Sequence, residues 1–589
     1  MLRFRSMSVA TAIAMFAASL IVAACQRQPV GWADLVLVNG RILTVDRNDA
    51  VVEAIAVTGG KISAVGSTEQ IKSRVGERTR VIDLHGRTAT PGLIDSHVHF
   101  SEAGALFTID LSDVAVTKID DVKARVAAQV KTLQPGEWVR GQGWDEGKLA
   151  ERRYITAADL DAIAPDNPVW LQQATGHYGV ANTYALRIAG ITRTTKDPAA
   201  GTIDRDAQGN PTGVLKESAR TLMRAKIPPL TRDQQKQGII RIIEDFNKEG
   251  MTGAKDPGID QAKWDLYQEL LKEGKLTVRV FVLWAGGYSL ESIKQVIPHV
   301  AQLPRPPASF GDGLLFSGGV KLYMDGSGGA RTAWMYEDWN KNSTEKDIGN
   351  TGYPTTPPDQ YREGVMLLHK AGIHVSTHAI GDRAIDWVVD TYDRVLATNP
   401  TRGLRHGIIH ANTPTDHAID VMARLEREYD AAYPEAQGTF LWWLGDTYAG
   451  NLGPERAQRL KPFKTYQAKG VKWAAGSDYF VAPFPARYSL WASVARKTLN
   501  STYGSQPFGT KESVDIKTAL RAQTMWAAHQ MFLDERIGSL EVGKDADIAV
   551  WDRDLYTVPT DDLKALKCEM TLLKGKVVFR DSRSPVVAP

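Results

Sequence analysis

Short apolar runs broken by turn residues open and close this chain, and between them apolar strands alternate with longer amphipathic stretches. Leu35-Val36-Leu37-Val38-Asn39-Gly40-Arg41-Ile42-Leu43 predicts a hairpin about Asn-Gly, and the run from Ala54 to Ile62 a second about Gly59-Gly60. Near the far end, Asp547 to Trp551 predicts a strand and Thr571 to Phe579 another hairpin. Neither end can bury an apolar face alone, so 32–87 and 531–589 together predict one small β-sandwich. From 88 to 530, strands such as Gly372 to His378 and Val471 to Asp478 alternate with helical stretches, which argues for parallel βα units.

The first residues follow another pattern. Arg3 and Arg5 precede an apolar run from Val9 to Ala24 that ends Val22-Ala23-Ala24-Cys25. A positive start, a short apolar stretch and small residues read as a secretory signal over 1–24, with 25–31 as a tether. The run is shorter than the roughly 20 residues of a spanning helix. At 589 residues the chain exceeds one ordinary compact domain. With 43% apolar and 24% charged residues it is not dominated by disorder. The 71 Lys and Arg against 68 Asp and Glu leave a net +3 with no basic block, so nucleic acid is not an expected partner. Two cysteines, Cys25 and Cys568, exclude a disulfide scaffold, and Cys568 is expected as a buried thiol.

Candidate chemistry sits at strand ends. In Pro91-Gly92-Leu93-Ile94-Asp95-Ser96-His97-Val98-His99, His97 and His99 share a strand face and can bind one ion. His378, His410 and Asp478 each close an apolar strand. A βα unit of an eight-fold barrel takes roughly 30 residues. His378 to His410 spans 32 residues and His410 to Asp478 spans 68, one unit and two. With His97 and His99 on strand 1, the others fall on strands 5, 6 and 8 of a barrel whose site collects at the strand C-termini. Gly318 to Gly326 fits strand 4 and carries Lys321, a costly buried cation unless paired or modified. The 222 residues from His99 to Lys321 exceed the roughly 90 that three units need, so an insertion near 105–235 is expected as a lid. Singly, each histidine could be a core residue, Asp478 a helix cap and Lys321 a snorkelling side chain. Their common spacing favours one site.

These residues resemble the amidohydrolase superfamily, in its amidohydrolase-3 (YtcJ-like) branch. Carrying the resemblance are Asn39-Gly40-Arg41-Ile42, Pro91 to His99, Gly143-Trp144-Asp145, Pro211 to Leu215, Lys321 to Ser327, Thr377 to Asp382, Gly476-Ser477-Asp478 and Gly538 to Asp547. It implies a distorted (β/α)8 TIM barrel with a β-sandwich made from both termini. It also implies two Zn2+ ions: His97, His99 and Asp478 on the first, His378 and His410 on the second, and carboxylated Lys321 bridging them. The activity implied is hydrolysis of a non-peptide C–N bond in a small N-substituted amide by a metal-activated hydroxide. Asp478 is then general base and acid, and His177 donates to the oxyanion. Trp144, Arg331, Trp334, Tyr479 and Phe480 flank the motifs as candidate substrate contacts. Relatives often carry Glu where Ile409 stands, Gln-Pro where Gln437-Gly438 stands and Leu where Gly328 stands. Val-Ala-Ala-Cys likewise resembles the bacterial lipobox. It implies a lipid on Cys25 and, with Gln26 following, an outer-membrane anchor facing the periplasm, against a soluble periplasmic or secreted protein. A homodimer stays open, as do a mononuclear metal-dependent deaminase and a catalytically inactive lipid-anchored binding protein.

Overall fold

Eight parallel strands form the central sheet of the computed structural model, which describes residues 31–102, 108–112, 115–339, 348–500 and 509–586. The signal segment and Cys25 lie outside the described residues. The strands are Leu93–Asp95, Met251–Ile259, Arg279–Ala285, Leu315–Tyr323, Val375–Ala379, Gly407–His410, Tyr433–Ala436 and Ala474–Ala475, here strands 1 to 8 in order around the sheet. Nearly every residue in them is buried, as expected for parallel strands covered on both faces. The sheet almost closes on itself. Across the seam Ser96 N–H donates to Ala475 O at 3.0 Å and Asp478 N–H to His97 O at 2.7 Å. The Gln523 amide spans the same gap, donating to Ile94 O at 2.6 Å and Ala475 O at 3.4 Å. Helices cover the outside. Asp382–Thr398 buries Ile385, Val388, Val389, Tyr392 and Leu396 on one face, and of its charges Asp386 is buried with them.

Between strands 1 and 2 lies a second α/β unit. Its six-stranded sheet runs in the order Gly201–Arg205, Pro211–Glu217, Tyr178–Ala181, Val169–Gln173, Val139–Trp144, Ile109–Asp110. It has its own apolar core of Val126, Val139, Leu171, Val180 and Val214. The turn Thr175-Gly176-His177 between two of these strands reaches the barrel mouth, where it lines the same cavity as His378.

The chain ends build two further sheets. One orders Lys61–Gly66, Ala54–Thr58, Leu35–Val38 and Arg80–Asp83; the other orders Lys576–Arg580, Cys568–Leu573, Ile548–Trp551, Thr88–Pro91, Arg41–Leu43 and Val51–Val52. Leu35, Leu37, Ile55 and Val57 of the first share one buried cluster with Ile548, Val550, Met570 and Leu572 of the second. The hairpin expected at Asn39-Gly40 does not form: Leu35–Val38 and Arg41–Leu43 belong to different sheets. Asn39 alone takes a positive φ, 54°, whereas a two-residue I′ turn needs two. Gly40 is there for space, since a Cβ on it would lie 2.3 Å from Leu84 Cδ1. The Gly59-Gly60 hairpin does form, with φ of 60° and 78°. Cys568 is a buried free thiol.

Candidate metal centre

Just past strand 1, His97 and His99 both turn to Asp478, which follows strand 8. Their Nε2 atoms lie 3.3 and 3.2 Å from its Oδ1. His410, the last residue of strand 6, places Nδ1 4.0 Å from Asp478 Oδ2. One ligand atom from each of His97, His410 and Asp478 falls within 4.8 Å of the other two. His378 of strand 5 joins through His410, Nδ1 to Nε2 at 3.0 Å. Lys321 of strand 4 is buried in the same cavity, its Nζ 4.7 Å from the Tyr323 ring centre. The structure thus brings His97, His99, Lys321, His378, His410 and Asp478 to one chamber of about 250 Å³. His410 and Asp478 hold left-handed backbones, φ 73° and 57°, a strain of about 1–3 kcal/mol each that concentrates at functional sites.

The residues fit a divalent cation. Among the described residues, both ring nitrogens of His97 and Asp478 Oδ1 are buried with no hydrogen-bond partner; a cation between Nε2 and Oδ1 removes the cost at those two atoms. Burial, joined by the Lys321 charge, pushes the His97 imidazole down to about 3. Burial with neighbouring rings pushes His378 and His410 well below the usual range, so all three stay neutral, as ligation requires. Burial alone would raise the Asp478 carboxyl, but the imidazoles of His97 and His99 outweigh it and hold the group ionised. Burial brings the Lys321 amine down to about 8.

Supporting contacts fix these groups. Asp95 accepts from His97 N–H at 3.1 Å, Ser477 N–H at 2.9 Å and Ser477 Oγ at 2.6 Å, tying the two ligand-bearing segments together. Asp325 accepts from the amides of Trp334, Ile380 and Gly381 at 3.0, 3.0 and 2.8 Å. His177 meets Glu217 through Nδ1 at 2.9 Å, and its ring centre is 5.1 Å from that of His378. Sequence reading did not single out Asp95, Asp325 or Glu217. The first two lie within motifs read for their neighbours, and Glu217 ends the run Gly213 to Glu217 of the insertion, two residues past the motif Pro211 to Leu215. Gln142, Gln172, Arg220, Tyr288 and Tyr323 also line the chamber and were missed.

Of the candidate substrate contacts only Phe480 lines this chamber. Trp144 is wholly buried in the inserted unit, its indole N–H on Leu171 O at 3.0 Å. Trp334 is buried under the Arg383 guanidinium, 4.4 Å from its ring centre. Arg331 lines a separate cavity of about 580 Å³ with Glu146, Tyr154 and Lys216. Tyr479 lines a neighbouring one of about 300 Å³ with Trp443 and Phe484. Adjacency to a motif placed these four near the site in sequence but did not determine which way each side chain faces.

Residues 80–579 match the sequence model of the Amidohydrolase family. The chain is 30% identical over 558 residues to Protein LONG AFTER FAR-RED 3 of Arabidopsis thaliana, covering 93% of this chain and 92% of that one. It is 27% identical over 566 residues to an N-substituted formamide deformylase of Arthrobacter pascens, covering 94% and 99%. Among solved structures, an uncharacterized metal-dependent hydrolase from Pyrococcus horikoshii OT3 superposes with a TM-score of 0.68 at 25% identity, over 90% of this chain and 99% of that one.

Proposed function

The chain belongs to the amidohydrolase family and is a metal-dependent hydrolase of carbon–nitrogen bonds; from that premise we propose that it cleaves the amide of a small N-substituted amide. The meeting of four imidazoles, one lysine and one ionised aspartate in a single chamber carries the reading. His97, His99 and Asp478 would hold one divalent cation and His378 and His410 a second, with Lys321, once carboxylated, supplying a further anionic ligand; we assign the metal as Zn2+. Carboxylation turns a buried cation into an anionic ligand. When bound, the metal polarises the carbonyl and lowers the pKa of water toward about 7.

The remaining work falls to side chains. Asp478 takes the water proton and returns it to the leaving nitrogen. Glu217, held ionised by the His177 ring despite burial, accepts from Nδ1–H and orients that imidazole toward the carbonyl oxygen under attack. The inserted unit acts as a lid that excludes water. Cys25 carries a lipid that anchors the enzyme to the outer membrane, facing the periplasm, and the mass of the mature N-terminus checks this.

The formyl group in the Arthrobacter relative's name makes formamides the first acyl series to try. A panel of N-formyl and N-acyl compounds should include at least one that turns over, with loss under chelator and recovery on Zn2+. A metal-loaded enzyme inert on the whole panel, or active in chelator, ends the reading. The compact trio His97, His410 and Asp478 would suit a one-metal deaminase instead. Metal analysis decides between two ions per chain and one.

A further inference from the structure

Lys461 is a fully buried lysine that the proposed chemistry does not use. It precedes the helix Phe463–Lys469. Among the described residues its Nζ hydrogen-bonds to two oxygens, His410 O at 2.6 Å and Gln437 Oε1 at 2.9 Å. Both partners lead to His410, because Gln437 Oε1 is also 2.9 Å from His410 Nδ1.

Donor and acceptor logic fixes the arrangement. A carbonyl oxygen only accepts, so Nζ donates in both bonds. The Gln437 oxygen therefore faces His410, while its Nε2 donates to Glu435 O at 2.9 Å. His410 Nδ1 must then carry the proton, and Nε2 presents its lone pair. Opposite, His378 Nε2 donates to Gly326 O at 2.8 Å, which leaves a lone pair on Nδ1. These two lone pairs face each other at 3.0 Å, a contact that repels unless a cation lies between. Lys461 also holds the carbonyl of His410 at its strained φ of 73°.

We propose that Lys461 is a positioning residue. Through Gln437 it sets the tautomer of His410, and through the carbonyl it sets the backbone, so that His410 and His378 offer paired lone pairs to one cation. The inference needs the metal reading of the site but no substrate. Its test reads binding alone, so failure of the amide assignment leaves it standing.

The test is Zn2+ affinity of the full chain, measured by competition with a chromophoric chelator. Lys461→Met should bind about ten-fold more weakly, the lower end of what loss of an outer partner costs. Gln437→Leu should lose at least as much. The double variant should lose less than the sum of the two single losses, because the Gln437 route is shared and only the carbonyl contact is Lys461's own. Parent-like affinity in Lys461→Met, or losses that simply add, overturn the proposal. If Lys461→Met fails to fold by circular dichroism, the cycle is run with Lys461→Gln, which keeps an N–H donor on a shorter arm, and additive losses there overturn it equally.

Discussion

Asp478 is a carboxylate that burial would neutralise and the imidazoles beside it keep charged. That balance makes it both a ligand and a base, and the two roles can be separated. Asp478→Asn keeps the size and one acceptor but cannot take a proton. The expected result is a fall in kcat of roughly 10²–10⁴ with metal still bound through the histidines, checked by metal analysis and steady-state kinetics. Turnover at the parent rate would remove Asp478 from proton transfer. The clustered residues were legible because strand ends recur at a barrel's spacing. Their supports were not: Asp95 and Ser477 are 382 positions apart and His177 and Glu217 are 40 apart, and no local pattern announces either pairing. Trp144 and Trp334 misled for the same reason, since chain proximity to a motif says nothing about facing it.

Between elements, charge does the joining. Arg405 and His529 bridge Asp430 and Asp534, so the loop before strand 6, the end of helix Asp416–Tyr429 and helix Met525–Gln530 meet in one network. Burial would raise the Asp534 carboxyl, but His529 and Arg405 outweigh it and bring it down to about 2 from 3.8. Its share of stability is therefore present above 3.8 and lost as pH falls through about 2. Burial opposes charge on His529, yet the bonds to Asp430 and Asp534 raise it above 6.5. Its share is complete below 6.5 and fades as pH rises through the higher folded value. Asp534→Asn should accordingly lower Tm most between pH 3.8 and 6.5, with the gap to the parent closing on both sides in thermal melts. A gap that stays constant from pH 2 to 9 would assign the loss to packing. None of these four residues stood out in the sequence, whereas the Gly59-Gly60 hairpin did, because both glycines supply the positive φ its turn demands.

The barrel and the sheets built from the chain ends are locked through Arg279. This guanidinium on strand 3 is buried and donates to Asp547 at 2.6 and 3.0 Å, Asp545 at 3.0 Å and Gly313 O at 2.5 Å. Asp545 has other partners, Lys61 at 3.0 Å and Arg536 at 2.9 Å. Among the described residues Asp547 keeps only backbone help, from Lys574 N–H at 2.9 Å, so it bears the loss when Arg279 goes. Breaking a buried pair from one side costs about 3–5 kcal/mol, because a desolvated charge is stranded. Arg279→Met should show that loss in chemical denaturation. Lys61→Met, which removes a half-exposed partner from the same cluster, should cost less than about 1 kcal/mol. Because the two parts are also joined by Gly92 N–H on Asp547 O at 2.9 Å and by Thr571 Oγ1 on Asn247 O at 2.6 Å, they should melt in one transition. An Arg279→Met protein within 1 kcal/mol of the parent, or a parent that unfolds in two steps, would mean that each part holds its fold without the other and that this junction merely aligns them.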